Sequence, residues 1–168
     1  VPLPPPKKKV APPLPPQLTR AVGLYKQGKV SAGIDAAETA PGPQAEAMAG
    51  RMKQIKRLLG DAQAAHQAKA GAELLRVVPA ALGIDKQIAG GKGTVRAKLQ
   101  RYYADGLYLK GIEAYQRRDD VKAYEMLSQA VRIRPDHRLA KSRLADLQTR
   151  ARELYYEADS AKSSAPAR

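Results

Sequence analysis

The 168-residue chain has no cysteine, no tryptophan and no phenylalanine. Without cysteine there are no disulfides, no thiolate chemistry and no cysteine-based zinc sites. The compartment stays open, because a cysteine-free chain serves equally inside or outside a membrane. Eight tyrosines supply all the aromatic mass. A core poor in large aromatics and rich in alanine suits closely approaching helices. It suits β-sandwiches poorly, because they draw on aromatic and β-branched residues. No apolar run approaches the roughly 20 residues of a membrane span. The chain begins at Val1, and no basic-then-apolar leader follows. It reads as a segment of a longer multidomain protein.

What is present is proline at one end and positive charge throughout. Residues 1–16 hold eight of the thirteen prolines. Proline lacks the N–H and fixes φ, so this stretch reads as an extended Pro/Lys-rich linker. Lys9 followed by Pro12 and Pro15 fits a basic residue before a PxxP ligand, and equally a plain spacer. Such a Pro-Lys spacer resembles the envelope-spanning linkers of bacterial proteins. The net charge of +14 is spread along the chain, and only Lys7, Lys8 and Lys9 form a block. Residues 160–168 are small and polar and read as a fraying tail.

Between the ends, breakers divide residues 17–159 into six or seven helices. They are expected near 17–27, 31–39, 44–69, 72–82, 94–117, 121–133 and 138–158. The third carries Met48, Met52, Ile55, Leu59 and Ala62 at helical spacing. Residues 83–93 read as a Gly-rich loop, Thr94 as the cap of the fifth helix and Asp136 as the cap of the seventh. The fold class is all-α, built of stacked antiparallel hairpins.

The informative stretch is 104–137. Gly111 supplies a small residue in one helix, and Ala123 opens the next twelve positions later. Leu127 and Ala130 follow at helical spacing, and Pro135 closes the unit. Leu107, Leu127 and Ile133 supply apolar area around the small residues. This pattern resembles the tetratricopeptide repeat, a helix–turn–helix of about 34 residues. Lys110 stands where that family carries leucine, and Ala114 where it carries tyrosine. A fainter echo runs from Leu24 to Ala37, and residues 138–158 look like a terminal capping helix. The resemblance implies a protein-binding platform whose groove is lined by first helices. Here those offer Tyr103, Lys110, Ala114 and Arg117, and a basic groove would favour an acidic or extended partner segment.

The remaining motifs lead away from catalysis. In the stretch 89–94, Gly93 separates Lys92 from Thr94 and no strand precedes it, so a phosphate loop is not expected. His66 and His137 are far apart in sequence without His or Cys neighbours, so no metal site is expected. No Ser–His–acid or paired-carboxylate constellation appears, so the chain is expected to be no enzyme and to need no cofactor. Arg51, Lys53, Lys56 and Arg57 on one helix, with Arg96, Lys98 and Arg101 on another, leave nucleic acid or an anionic polymer as an alternative partner. A structural or oligomerising module is the third reading. Tyr102, Tyr103, Tyr108, Tyr115 and Tyr124 surround the best repeat and suit either hairpin packing or an interface.

Overall fold

The computed structural model describes residues 14–163. The PxxP stretch up to Pro13 and residues 164–168 lie outside the described residues. Seven helices follow one another: α1 (Pro16–Lys26), α2 (Val30–Glu38), α3 (Pro43–Gln67), α4 (Gly71–Ala89), α5 (Thr94–Gln116), α6 (Asp120–Ile133) and α7 (Arg138–Ser163). Each helix packs on the next, so the chain is a stack of antiparallel hairpins. The first helices of the hairpins also meet: α1 and α5 both touch α3, and α1 reaches α4 and α5.

Three turns explain the stack. Gly28, Lys69 and Arg118 adopt left-handed φ values of 85°, 52° and 62°. At each, the left-handed residue donates its N–H three residues back, as Lys69 does to His66 at 3.1 Å. The following residue donates five back: Lys29 to Leu24, Ala70 to Ala65 and Asp119 to Ala114, at 3.0, 2.9 and 3.0 Å. That paired pattern is the Schellman closure of a helix C-terminus. α1–α2, α3–α4 and α5–α6 are therefore three hairpins with one turn geometry.

Counting from the left-handed residue aligns their interiors. Seven positions earlier stand Ala21, Ala62 and Gly111, all buried. Nine positions later stand Ala37, Val78 and Leu127, all fully enclosed. Twelve later stand Ala40, Ala81 and Ala130, again buried. Small residues recur because the axes approach too closely for bulk. A Cβ on Gly111 would lie 2.8 Å from Leu127, and one on Gly33 would lie 3.1 Å from the carbonyl oxygen of Ala21.

The apolar interior forms two clusters. The first joins α1 to α5 through Leu18, Tyr25, Met52, Ile55, Leu74 and Leu99. The second joins α5, α6 and α7 through Leu107, Ala114, Leu127, Ala140 and Leu147. α5 serves both, and Tyr103 packs against each.

Several local expectations need correction. α4 runs on to Ala89, through most of the stretch read as loop. Gly83 is tolerated there because the face it presents is open, and burial of Asp85 and Ile88 holds the extra turns in the first cluster. Pro79 lies inside α4, within the span already read as helix. Thr94 is the first residue of α5, not its cap. Gly93 precedes it at φ 109°, and a Cβ there would lie 2.6 Å from the Lys26 carbonyl oxygen. Asp136 accepts from Arg134 instead of capping α7. The cap is His137, whose Nδ1 accepts the Ala140 N–H at 3.3 Å. Pro16 already belongs to α1, as suits a residue with no N–H to satisfy in the first turn. α7 continues to Ser163 rather than stopping at 158.

Candidate interaction surface

The last hairpin leaves apolar groups in solvent. Asp119 starts α6, its Oδ1 accepting the Lys122 N–H at 3.1 Å. From that start, Ala123, Leu127 and Ala130 turn inward. The same winding puts Val121 and Tyr124 outside, and Val121 is 73% exposed. On α7, Ala140 and Leu147 are buried, whereas Leu154, at 57%, and Tyr155 and Tyr156 are exposed. Asp120, Val121, Tyr124, Leu147, Ala151 and Leu154 line a groove of about 590 Å³ between the two helices.

Polar fastenings hold the groove's two walls together. Arg150 donates to Asp120 at 2.7 Å. Tyr115 of α5 lies under two guanidinium groups of α7, with Arg150 at 4.5 Å and Arg143 at 5.5 Å from the ring centroid. Cation–π contacts of this kind fix a helix without deep apolar burial. The groove is thus apolar at its floor, with Arg150 and Asp120 bridging its two walls.

The residues singled out in the sequence are placed differently from one another. Tyr103, Lys110, Ala114 and Arg117 share one face of α5, but much of that face is turned to packing. Ala114 is enclosed in the second cluster, and Tyr103 is half-buried between both. Lys110 is half-buried and pairs with Glu113 one turn on. Arg117 is exposed at the end of α5. Leu107, Ala123, Leu127 and Ala130 are buried together, Gly111 backs onto Leu127, and Pro135 follows the end of α6. On α3, Arg51, Lys53, Lys56 and Arg57 are all exposed, and Lys53 pairs with Glu38 at 2.6 Å. Lys98 of α5 leans on Tyr102, 5.6 Å from its ring centroid.

Two polar clusters escaped sequence reasoning. In the first, the Tyr25 hydroxyl donates to Asp85 Oδ1 at 2.8 Å, with Asp85 fully buried. Arg96 comes within 3.8 Å of Asp85 Oδ2, an oxygen that makes no hydrogen bond. Burial, then the bond to Asp85 and its negative charge, push the Tyr25 phenol well above its usual range. In the second, both histidines of the chain meet Asp105. His66 Nε2 lies 3.0 Å from Oδ2, and Arg134 donates to Oδ1 at 3.1 Å. His137 Nε2 lies 3.3 Å from Oδ1, out of line for a hydrogen bond. Tyr25, His66 and Tyr115 all stand three residues before a left-handed turn residue. Only the alignment of the turns exposes that shared position. Among the described residues, no group of three or more acidic or histidine side chains is arranged to hold a metal ion. No described helix is long and apolar enough to cross a membrane.

Comparison of the chain with protein-family models, curated proteins and solved structures finds no match.

Proposed function

We propose that this chain is a non-catalytic interaction module, a tetratricopeptide-like hairpin stack that receives a helical segment of another protein between α6 and α7. The observation that carries the reading is the exposure of Val121, Tyr124 and Leu154 along one groove. A groove between two helices takes a third by ridge-into-groove packing. An amphipathic helix would bring apolar residues at a spacing of three and four to meet it. The basic first-helix groove inferred from the family resemblance is less favoured, because Ala114 and Tyr103 face packed interior.

The test is a binding comparison on the full chain. Proteins captured by the wild type are identified and then measured against Val121→Asp and Leu154→Asp. A true groove partner loses binding to both variants and keeps most of its affinity at high salt, as an apolar contact should. Retained binding to both variants overturns the groove. Light scattering on the isolated chain separates a second copy from a foreign partner.

A second reading rests on the exposed Arg51, Lys56 and Arg57 of α3. Nucleic acid held there would bind with a steep salt dependence in a filter assay. Neutralising those three side chains would abolish it, and the groove variants would not.

A further inference from the structure

α7 outruns the helix it packs against. It has 26 residues and α6 has 14, and Arg150 of α7 already pairs with Asp120, the first residue of α6. From Ala151 on, α7 runs past the start of α6, and residues 151–157 are all exposed. The apolar stripe that anchors α7 does not stop there. Ala140, Leu144 and Leu147 lie against the second cluster. Ala151 and Leu154 continue the same spacing of four and three in the open. Helices of this kind are held by packing of such a stripe more than by propensity.

We infer that the helix filling the α6–α7 groove is the projecting end of α7 from a second copy of this chain, each copy lending its end to the other. The inference rests on the reading of that groove as a site for a helix, and it names the helix. Charge selects the occupant. The chain carries +14, so most of its surface repels a like surface. Residues 153–161 are the exception, with three acidic residues and no basic one. Residues 138–152 of the same helix hold five basic residues and one acidic. A two-fold interface has to be complementary to itself. A parallel pairing of α7 with its copy sets acidic end on acidic end. An antiparallel pairing sets the acidic end of each on the basic stretch of the other.

The stripe then fixes the register. The free part of each stripe overlaps the other when Leu154 of one copy lies opposite Ala151 of its partner. Glu157 stands seven residues after Arg150, on the same flank of the stripe. Antiparallel helices bring like flanks together, so Glu157 of each copy meets Arg150 of the other. Arg150 gives an N–H to Asp120, and a guanidinium carries five. Among the described residues Glu157 has no ion-pair partner of its own. Past this point the end of each α7 reaches Val121 and Tyr124 of the other copy, both largely in solvent. With Leu154 and Tyr155 they would hide on the order of 1,000 Å² over the two copies, the lower end of specific interfaces, so a dimer of micromolar strength is expected.

Sedimentation equilibrium on the full chain, from low micromolar to near-millimolar concentration, reads the association. A monomer–dimer equilibrium is expected, because a two-fold contact closes at two copies. Leu154→Asp and Val121→Asp are expected to weaken it at least about tenfold, and Glu157→Arg by a few-fold. All three side chains are exposed, so the monomer fold tolerates the changes. The chain has no cysteine, so nitroxides at Ser142→Cys or Arg152→Cys read the geometry by pulsed electron resonance. The antiparallel overlap makes the spacing between copies about 20 Å longer at 142 than at 152, whereas a parallel pair makes the two alike. A chain that stays monomeric, association that runs past the dimer, a dimer indifferent to Leu154→Asp, or equal spacings at the two sites overturns the inference. The groove reading fails separately. A foreign partner lost on Val121→Asp from a chain that stays monomeric leaves that reading standing and removes this one.

Discussion

The first hairpin and the last are built on the same turn, yet the first is sealed and the last is open. At the sealed end, α1 folds back on α4 and α5, and Tyr25 reaches across sixty residues to the buried Asp85. At the open end, α7 lies on α6, and Leu154, Tyr155 and Tyr156 project into solvent. The aromatic position three residues before each turn tracks this change. Tyr25 is fully buried on a carboxylate, His66 is half-buried on Asp105, and Tyr115 is clasped by two arginines of α7. One hairpin frame can thus close a stack or end it, according to what the aromatic residue meets. Most of the exposed large apolar side chains of the described residues lie at the open end, on α6 and α7.

The most severe test of that division deletes one leucine from each cluster. Leu99→Ala and Leu127→Ala remove side chains that are fully enclosed, and each is expected to cost about 2–5 kcal/mol. Their reach should differ. Leu99 sits in the cluster of five helices, so its loss lowers hydrogen-exchange protection from α1 to α5. Leu127 belongs to the smaller cluster, so its loss unprotects α6 and α7 first and spares α1 to α4. If both variants lower protection uniformly along the chain, the two clusters fold as one unit and the comparison fails.

Much of this architecture was legible in the sequence because it follows from local pattern. Breakers divide the chain into helices whose order the structure keeps, with only the fourth cut markedly short, and Gly111, Ala123 and Ala130 mark the close crossing of the third hairpin. What stayed hidden depends on partners remote in sequence. Residues 83–89 look like loop because Gly83 and Gly90 flank them, yet Asp85 and Ile88 turn inward and keep the chain helical. The His66–Asp105–His137 cluster has no local signature, since three different elements bring its members together.

A smaller effect sharpens the account of closure. Tyr25→Phe leaves the buried Asp85 without its hydroxyl donor and is expected to cost about 1–3 kcal/mol. The pH dependence has a definite sign. Folded Tyr25 keeps its proton above the usual phenol range because of burial and the neighbouring Asp85. In the unfolded chain the same phenol ionises near pH ~10. The associated stability is fully present below that pH and is lost as pH rises above it, by about 1.4 kcal/mol per unit. Urea midpoints of the wild type should therefore fall between about pH 9 and pH 11 more steeply than those of Tyr25→Phe. Equal slopes would mean that Tyr25 ionises while folded, and that the seal between α1 and α4 opens to solvent.

The gentlest perturbation acts on the turns that all three hairpins share. A side chain in the left-handed region crowds the following carbonyl, a strain glycine avoids. Lys69→Gly and Arg118→Gly should each raise stability by about 0.5–1 kcal/mol, whereas Gly28→Ala should lower it by a similar amount. Gly28 adds a steric reason, because its Cβ would approach Thr94 of α5 at 3.4 Å. That contact exists only where α1 closes back on the stack. Lys69→Gly and Arg118→Gly consequently read backbone strain alone, and Gly28→Ala reads strain together with closure. An alanine at 28 that costs no more than the gain at 69 or 118 would show that the seal yields easily at this point, and that sealing depends on Tyr25 and Asp85 rather than on the fit of the turn.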